Sequence, residues 1–157
     1  MLRKILGLRS GVVMVSGGAR RITGIYLRAW GKGRRVLVES PEFALEGDFF
    51  IGDPLNSPGF DVYLVLNPVS GPKERREKTL RWLEGLNDKL VLLYEERYVG
   101  DSIARYKIRK HLDYLIAYRR ETMGAELLKV YRLENGRVVE RKTYVRRPMT
   151  SGFGSER

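Results

Sequence analysis

Hydrophobic residues change period several times along this chain, and each change marks a new element. Residues 62–66 (Val-Tyr-Leu-Val-Leu) and 90–94 (Leu-Val-Leu-Leu-Tyr) are unbroken apolar runs of strand length, the pattern of strands covered on both faces. Between them Leu80, Leu83 and Leu86 recur at helical spacing after Gly71-Pro72. Proline is tolerated there because a first-turn N–H has no helical partner to lose. The stretch therefore predicts a strand, a helix over 72–86 and a second strand, a βαβ crossover with parallel strands. Ala104, Ile108, Leu112 and Leu115 fall on one helical face, which predicts a second helix over 102–120.

The two ends read as β structure. Residues 12–15 form a short β-branched run ended by Ser16-Gly17-Gly18, and residues 22–30 and 35–39 flank Gly31-Lys32-Gly33; together they predict a small N-terminal antiparallel unit with a hairpin. Residues 47–58, dense in Gly, Pro, Asp, Asn and Ser, predict a loop bordering a site, with a short strand at 49–51. Asn135-Gly136 suits the two positive φ angles of a type I′ turn, so residues 126–133 and 137–145 predict a hairpin. A symmetric register places Leu133 opposite Val138, Tyr131 opposite Glu140 and Lys129 opposite Lys142. That last pair repels without an anion between its members. The tail, 148–157, lacks periodicity and reads as flexible. With no repeat and no linker, the expectation is one domain over 1–157, an α/β (α+β mixed) fold with a mixed sheet.

Composition narrows the chemistry. The 157 residues include no cysteine and one histidine, which excludes disulfides, thiol nucleophiles and multi-histidine metal centres. Glutamine is absent and arginine outnumbers lysine, a profile expected of a thermophile. The longest apolar runs are far short of a membrane span, and no signal-peptide core follows the N-terminus, so an intracellular protein with no membrane partner is expected. The formal net charge of +11 is unevenly spread: residues 1–35 carry +9, residues 36–99 carry −5 and residues 100–157 carry +7. Two basic ends around an acidic middle suit a protein that grips phosphates.

DNA or RNA is therefore the expected partner. Arg20, Arg21, Arg34 and Arg35 supply the N-terminal cations. Lys107, His111, Tyr114 and Tyr118, with Arg105, Lys110, Arg119 and Arg120 nearby, form a basic and aromatic stripe if 102–120 is helical. Lys129, Arg141, Lys142, Arg146 and Arg147 belong to the C-terminal hairpin and its exit. Cations meet phosphates, tyrosines stack on exposed bases, and a two-stranded ribbon can enter a groove. The competing expectation is an assembly module, viral or cellular, that meets an acidic protein partner or a second copy of itself.

A catalytic layer is a second expectation. In open α/β sheets, ligands gather beyond the carboxyl ends of parallel strands. There Glu95, Glu96 and Arg97 follow one strand, and Glu39 follows another if 36–38 lies alongside. Glu95, Asp61 and Glu39 are candidate Mg²⁺ ligands and Glu95, Glu96, Asp61 and Arg97 the candidate catalytic set for phosphodiester hydrolysis; the plainer reading is a strand exit lined by ion pairs. The segment LVLLYEER followed by IRKHLDYLIAY resembles the strand and following helix of PD-(D/E)xK nucleases, with Glu95-Glu96-Arg97 in the place of Glu-x-Lys. The resemblance covers about a quarter of the chain, and arginine cannot replace a lysine as neutral base, so the chain is not assigned to that family. Two turns, Ser16 to Arg21 and Asn67 to Pro72, are candidate phosphate cradles, although neither has P-loop or dinucleotide glycine spacing.

Overall fold

A computed structural model describes residues 1–99 and 107–147. Its strands are β1 (Gly11–Ser16), β2 (Val36–Val38), β3 (Phe49–Ile51), β4 (Val62–Leu66), β5 (Leu90–Glu95), β6 (Tyr114–Arg120), β7 (Glu126–Glu134) and β8 (Arg137–Arg146). Its α-helices are α1 (Leu2–Leu6), α2 (Arg20–Trp30) and α3 (Lys73–Gly85). The eight strands form a single mixed sheet in the order β3-β2-β4-β5-β1-β6-β7-β8. Pairing is parallel from β3 through β6 and antiparallel from β6 through β8. The expected βαβ core is present: β4 and β5 are adjacent and parallel, with Val62 beside Leu90 and α3 between them in sequence. Among the described residues no helix is long and apolar enough to cross a membrane.

The N-terminal expectation is corrected. Residues 22–30 are not a strand of a hairpin but most of α2. Its buried residues Thr23, Tyr26, Leu27 and Trp30 fall at i, i+3, i+4 and i+7, a helical stripe that the β-branched residues and the glycine turn disguise. Topology requires it as well, because β1 and β2 run in the same direction and parallel strands need a crossover. The Trp30 indole donates to the Ile5 carbonyl at 3.0 Å and ties α2 to α1.

The second correction concerns 102–120. Residues 107–111 form a short 3-10 turn and Tyr114 to Arg120 is the strand β6; the first part of the predicted helix lies outside the described residues. Leu115, Ile116 and Ala117 are buried, because β6 lies between β1 and β7 with both faces covered. An uninterrupted Tyr-Leu-Ile-Ala-Tyr run fits that slot better than one apolar helical face does. The helix of the nuclease resemblance is therefore absent from 107–118.

The hairpin stands, with Asn135 at φ 52° and Gly136 at φ 81°, but a bulge alters its register. Leu133 faces Val138 as expected, whereas Arg132 faces Glu140, Tyr131 faces Arg141 and Lys129 faces Thr143. Lys142 faces Val130, so the repelling lysine pair does not form. One extra residue on a strand displaces every later pair by one. The tail, 148–157, lies outside the described residues.

The sheet has a core on each face. On one, Tyr26, Leu27 and Trp30 of α2 pack on Val13, Val15, Leu64 and Leu92. On the other, Leu83 of α3 and Ile108 pack with Met14, Val65, Leu93 and Leu115. The chain leaves β1 toward the first face and leaves β4 toward the second. The connections after β4 and β1 therefore lie on opposite faces, with β5 between these strands, and it is beyond carboxyl ends of this kind that open α/β sheets form their ligand crevices.

Candidate nucleic-acid interface

Both candidate phosphate cradles at this edge are closed on themselves. The Gly17 amide donates to the carbonyls of Glu95 (3.0 Å) and Arg97 (2.8 Å), and the Gly18 amide donates to Glu95 (3.2 Å). Gly17 has φ +94°, and a Cβ there would lie 1.9 Å from the Tyr118 carbonyl oxygen. The turn is tight, with these amides directed inward. In the second turn the Glu95 carboxylate stands where a phosphate would sit. Glu95 is 0% exposed; its Oε2 accepts the amides of Val69 (2.9 Å) and Ser70 (3.4 Å), and its Oε1 accepts the Ser70 hydroxyl. The carboxylate closes this turn from the neighbouring strand β5 by satisfying its backbone amides.

The other carboxylates of the expected metal and catalytic sets are separately engaged. Glu39 accepts the Leu66 amide at 2.8 Å and pairs with Arg75 at 2.7 Å, and Arg75 also bridges to Asp53 at 3.0 Å. This clamp fixes the loop expected to border a site. Burial alone would raise the Asp53 carboxyl, but the Arg75 hydrogen bond, the Leu55 amide, Asn56 and the Arg75 charge together hold it below its usual range. Glu96 accepts the Tyr94 hydroxyl and lies 3.6 Å from Arg20, which pairs with Glu42 at 2.7 Å. Burial, then the Glu96 hydrogen bond and charge, push the Tyr94 phenol up to about 12. Arg97 contributes its carbonyl to the Gly17 turn.

Asp61 is not brought to Glu95. It precedes β4 at the opposite edge of the sheet, where it accepts the Arg35 amide at 2.9 Å. With five residues in β4, the two edges are about 17 Å apart. Among the described residues no three His, Asp or Glu side chains gather in a metal-holding group.

A different constellation forms on the α2 face. A cleft of about 560 Å³ opens between the first turn of α2 and the β6–β8 ribbon, and its walls include Arg20, Arg21, Arg120 and Arg146. Ile22, Ile25 and Leu128 supply apolar wall, and Tyr118 and Tyr144 supply aromatic wall. Glu126 is the carboxylate of the cleft; it accepts the Tyr118 hydroxyl at 2.8 Å and lies 3.6 Å from Arg146. Burial, followed by the Glu126 hydrogen bond and charge, raises the Tyr118 phenol. The first turn of α2 holds no acid and no side-chain cap, so its positive end adds to the field of the arginines. Neither a known protein-family model nor a curated protein matches the chain.

Of the residues expected to grip nucleic acid, the structure gathers Arg20, Arg21, Tyr118 and Arg146 at the cleft. Lys142 is close by, 5.3 Å from the Tyr144 ring, and Arg147 follows β8. Arg34 bonds the Trp30 carbonyl, and Arg35 bonds the Gly59 carbonyl while stacking on Phe50 and Phe60; both serve the fold. Tyr114 is buried at the start of β6. Lys107, Lys110 and His111 stand beside α3 on the other face, so the predicted helical stripe separates. Strand alternation sends Lys129 and Arg141 to that same far face with Tyr131. Sequence reading placed Arg120 beside the helical stripe without choosing it as a contact, and missed Tyr144. Tyr118 and Arg120 share a side by the two-residue period of a strand, a signal lost when 114–120 is read as helix.

Proposed function

We propose that the protein binds nucleic acid, DNA or RNA, through the cleft between α2 and the β6–β8 ribbon. The observation that carries this reading is the convergence of Arg20, Arg21, Arg120 and Arg146 with Tyr118 and Tyr144 around one opening, from segments about a hundred residues apart. Cations at a groove neutralise phosphates and release counterions, and tyrosine faces accept bases without sequence preference. Apolar wall beside the arginines favours a partner with exposed rings over a plain anion. Binding without cleavage is the reading favoured here, because Glu39 and Glu95 are held by backbone amides.

The test is retardation of labelled single- and double-stranded DNA and RNA over a salt series, with Mg²⁺ or chelator. Wild-type affinity is expected to fall linearly on a log–log salt plot. Arg21→Ala combined with Arg120→Ala is expected to reduce that slope by about 1.8 on duplex, or about 1.4 on single strands. An unchanged slope, or no retardation at low salt, would overturn the reading and direct the search to an acidic protein partner. Mg²⁺-dependent shortening of the probe would restore a catalytic role.

A further inference from the structure

The face opposite the cleft contains a seam between α3 and the 3-10 turn Lys107–His111. Among the described residues two buried side-chain nitrogens lack a hydrogen-bond partner, Arg76 Nε and His111 Nε2, and both residues line this seam. Arg76 belongs to a cavity of about 240 Å³, His111 to one of about 260 Å³, and the two cavities share Glu77, Leu80 and Lys107. Arg76 Nε is closed to solvent, so the residue meets the cavity through the rest of its side chain.

At the Arg76 end, Lys73, Arg76 and Lys107 face one carboxylate, Glu77, and the remaining wall is Pro68, Val69, Leu80 and Ile108. Three cations against one anion leave about two positive charges uncompensated. A phosphate monoester carries about −1.5 to −2 at neutral pH, with three strong acceptor oxygens. A carboxylate supplies only one charge. The cavity is smaller than pockets for drug-sized ligands, so it holds a phosphate and about one ring or short chain on the apolar wall. We propose that this pocket is a second anion site, independent of the cleft, which binds a small phosphate monoester through Arg76, Lys73 and Lys107.

Phenyl phosphate, inorganic phosphate and benzoate are the probes, titrated into the full chain and followed by backbone amide shifts and calorimetry. Phenyl phosphate is expected to bind saturably, with shifts centred on Val69, Arg76 and Ile108, and benzoate to bind at least about tenfold more weakly. Arg76→Lys keeps the charge and removes the planar guanidinium fork, and is expected to weaken phenyl phosphate about tenfold. Arg21→Ala, in the cleft, is expected to leave it unchanged. If Arg76→Lys does not fold by circular dichroism, Lys107→Gln, from the other wall, decides with the same expected loss. No saturable binding by wild type, equal binding of benzoate, shifts centred on the cleft, or wild-type affinity in the folded variant would each overturn the proposal. Tighter phenyl phosphate than inorganic phosphate supports the apolar wall; the reverse order overturns the monoester assignment.

Discussion

Replacing Glu95 separates a structural carboxylate from a catalytic one. Its buried side chain accepts three hydrogen bonds, from the Val69 and Ser70 amides and the Ser70 hydroxyl. Hydrogen bonds to a charged group contribute about 1.5–3 kcal/mol each, and a buried donor left unsatisfied costs about 1–3 kcal/mol. Glu95→Ala strands three donors at once, and water entering from the nearby edge recovers part of the loss, so about 3–5 kcal/mol is expected. Glu95→Gln keeps a carbonyl for the two amides and can turn its NH₂ to the serine oxygen; its cost is about 1–2 kcal/mol, the charge-assisted share. Against a total of about 5–15 kcal/mol for a domain of this kind, the alanine variant sits near the limit of folding. Guanidinium unfolding at neutral pH measures both variants, and Ser70→Ala completes a double-mutant cycle whose coupling is expected to exceed about 1 kcal/mol. If both variants unfold within about 0.5 kcal/mol of wild type, the turn-closing role is wrong.

Gly17→Ala forces a left-handed backbone angle and a Cβ contact of 1.9 Å with the Tyr118 carbonyl; a loss of about 3 kcal/mol is expected, and a thermal midpoint within about 2 °C of wild type would refute it. The Asp53–Arg75 clamp adds an acid-sensitive element. Because the folded Asp53 carboxyl lies below its unfolded value, its stabilisation is complete above about pH 4 and is lost as pH falls through the folded value. Urea midpoints measured from neutral to acidic pH are expected to fall less steeply for Asp53→Asn than for wild type; parallel curves would remove Asp53 from the account.

What the sequence disclosed follows from which signals are local. The 62–66 and 90–94 runs, the α3 pattern and the Asn135-Gly136 turn were legible because each records burial or backbone geometry within a few residues. α2 was misread although its stripe at Thr23, Tyr26, Leu27 and Trp30 was present, because β-branched residues and a glycine turn gave a competing local signal. β6 was misread because a both-sides-buried strand and a buried helical segment look alike in a short apolar run. Its neighbours are set by a crossover that no local pattern reports. The hairpin bulge had no local signature, and with it went the inferred lysine pair. The carboxyl edge was located correctly as a place, but the partners of Glu95 and Glu39 are amides from other segments, which spacing cannot reveal. The cleft emerged only in part, since Arg120 and Tyr144 depend on β6 and the bulged hairpin.

The position of β1 has a consequence for how the chain is made. It is the first strand in the sequence, yet it lies at the centre of the sheet, with Val13 beside Leu92 on one side and Tyr114 on the other. Neither neighbour exists when residues 11–16 leave the ribosome. At about 5–20 residues per second, the Val-Val-Met-Val run waits about 5–20 s for the strand that closes its second edge. During that interval its two edges and two apolar faces are open to other chains, and helix formation by α2 can shield only one face. Pairings of such sequence separation also slow folding once synthesis is complete. A chain truncated before residue 114 would therefore keep this central strand unpaired on one side and is expected to aggregate.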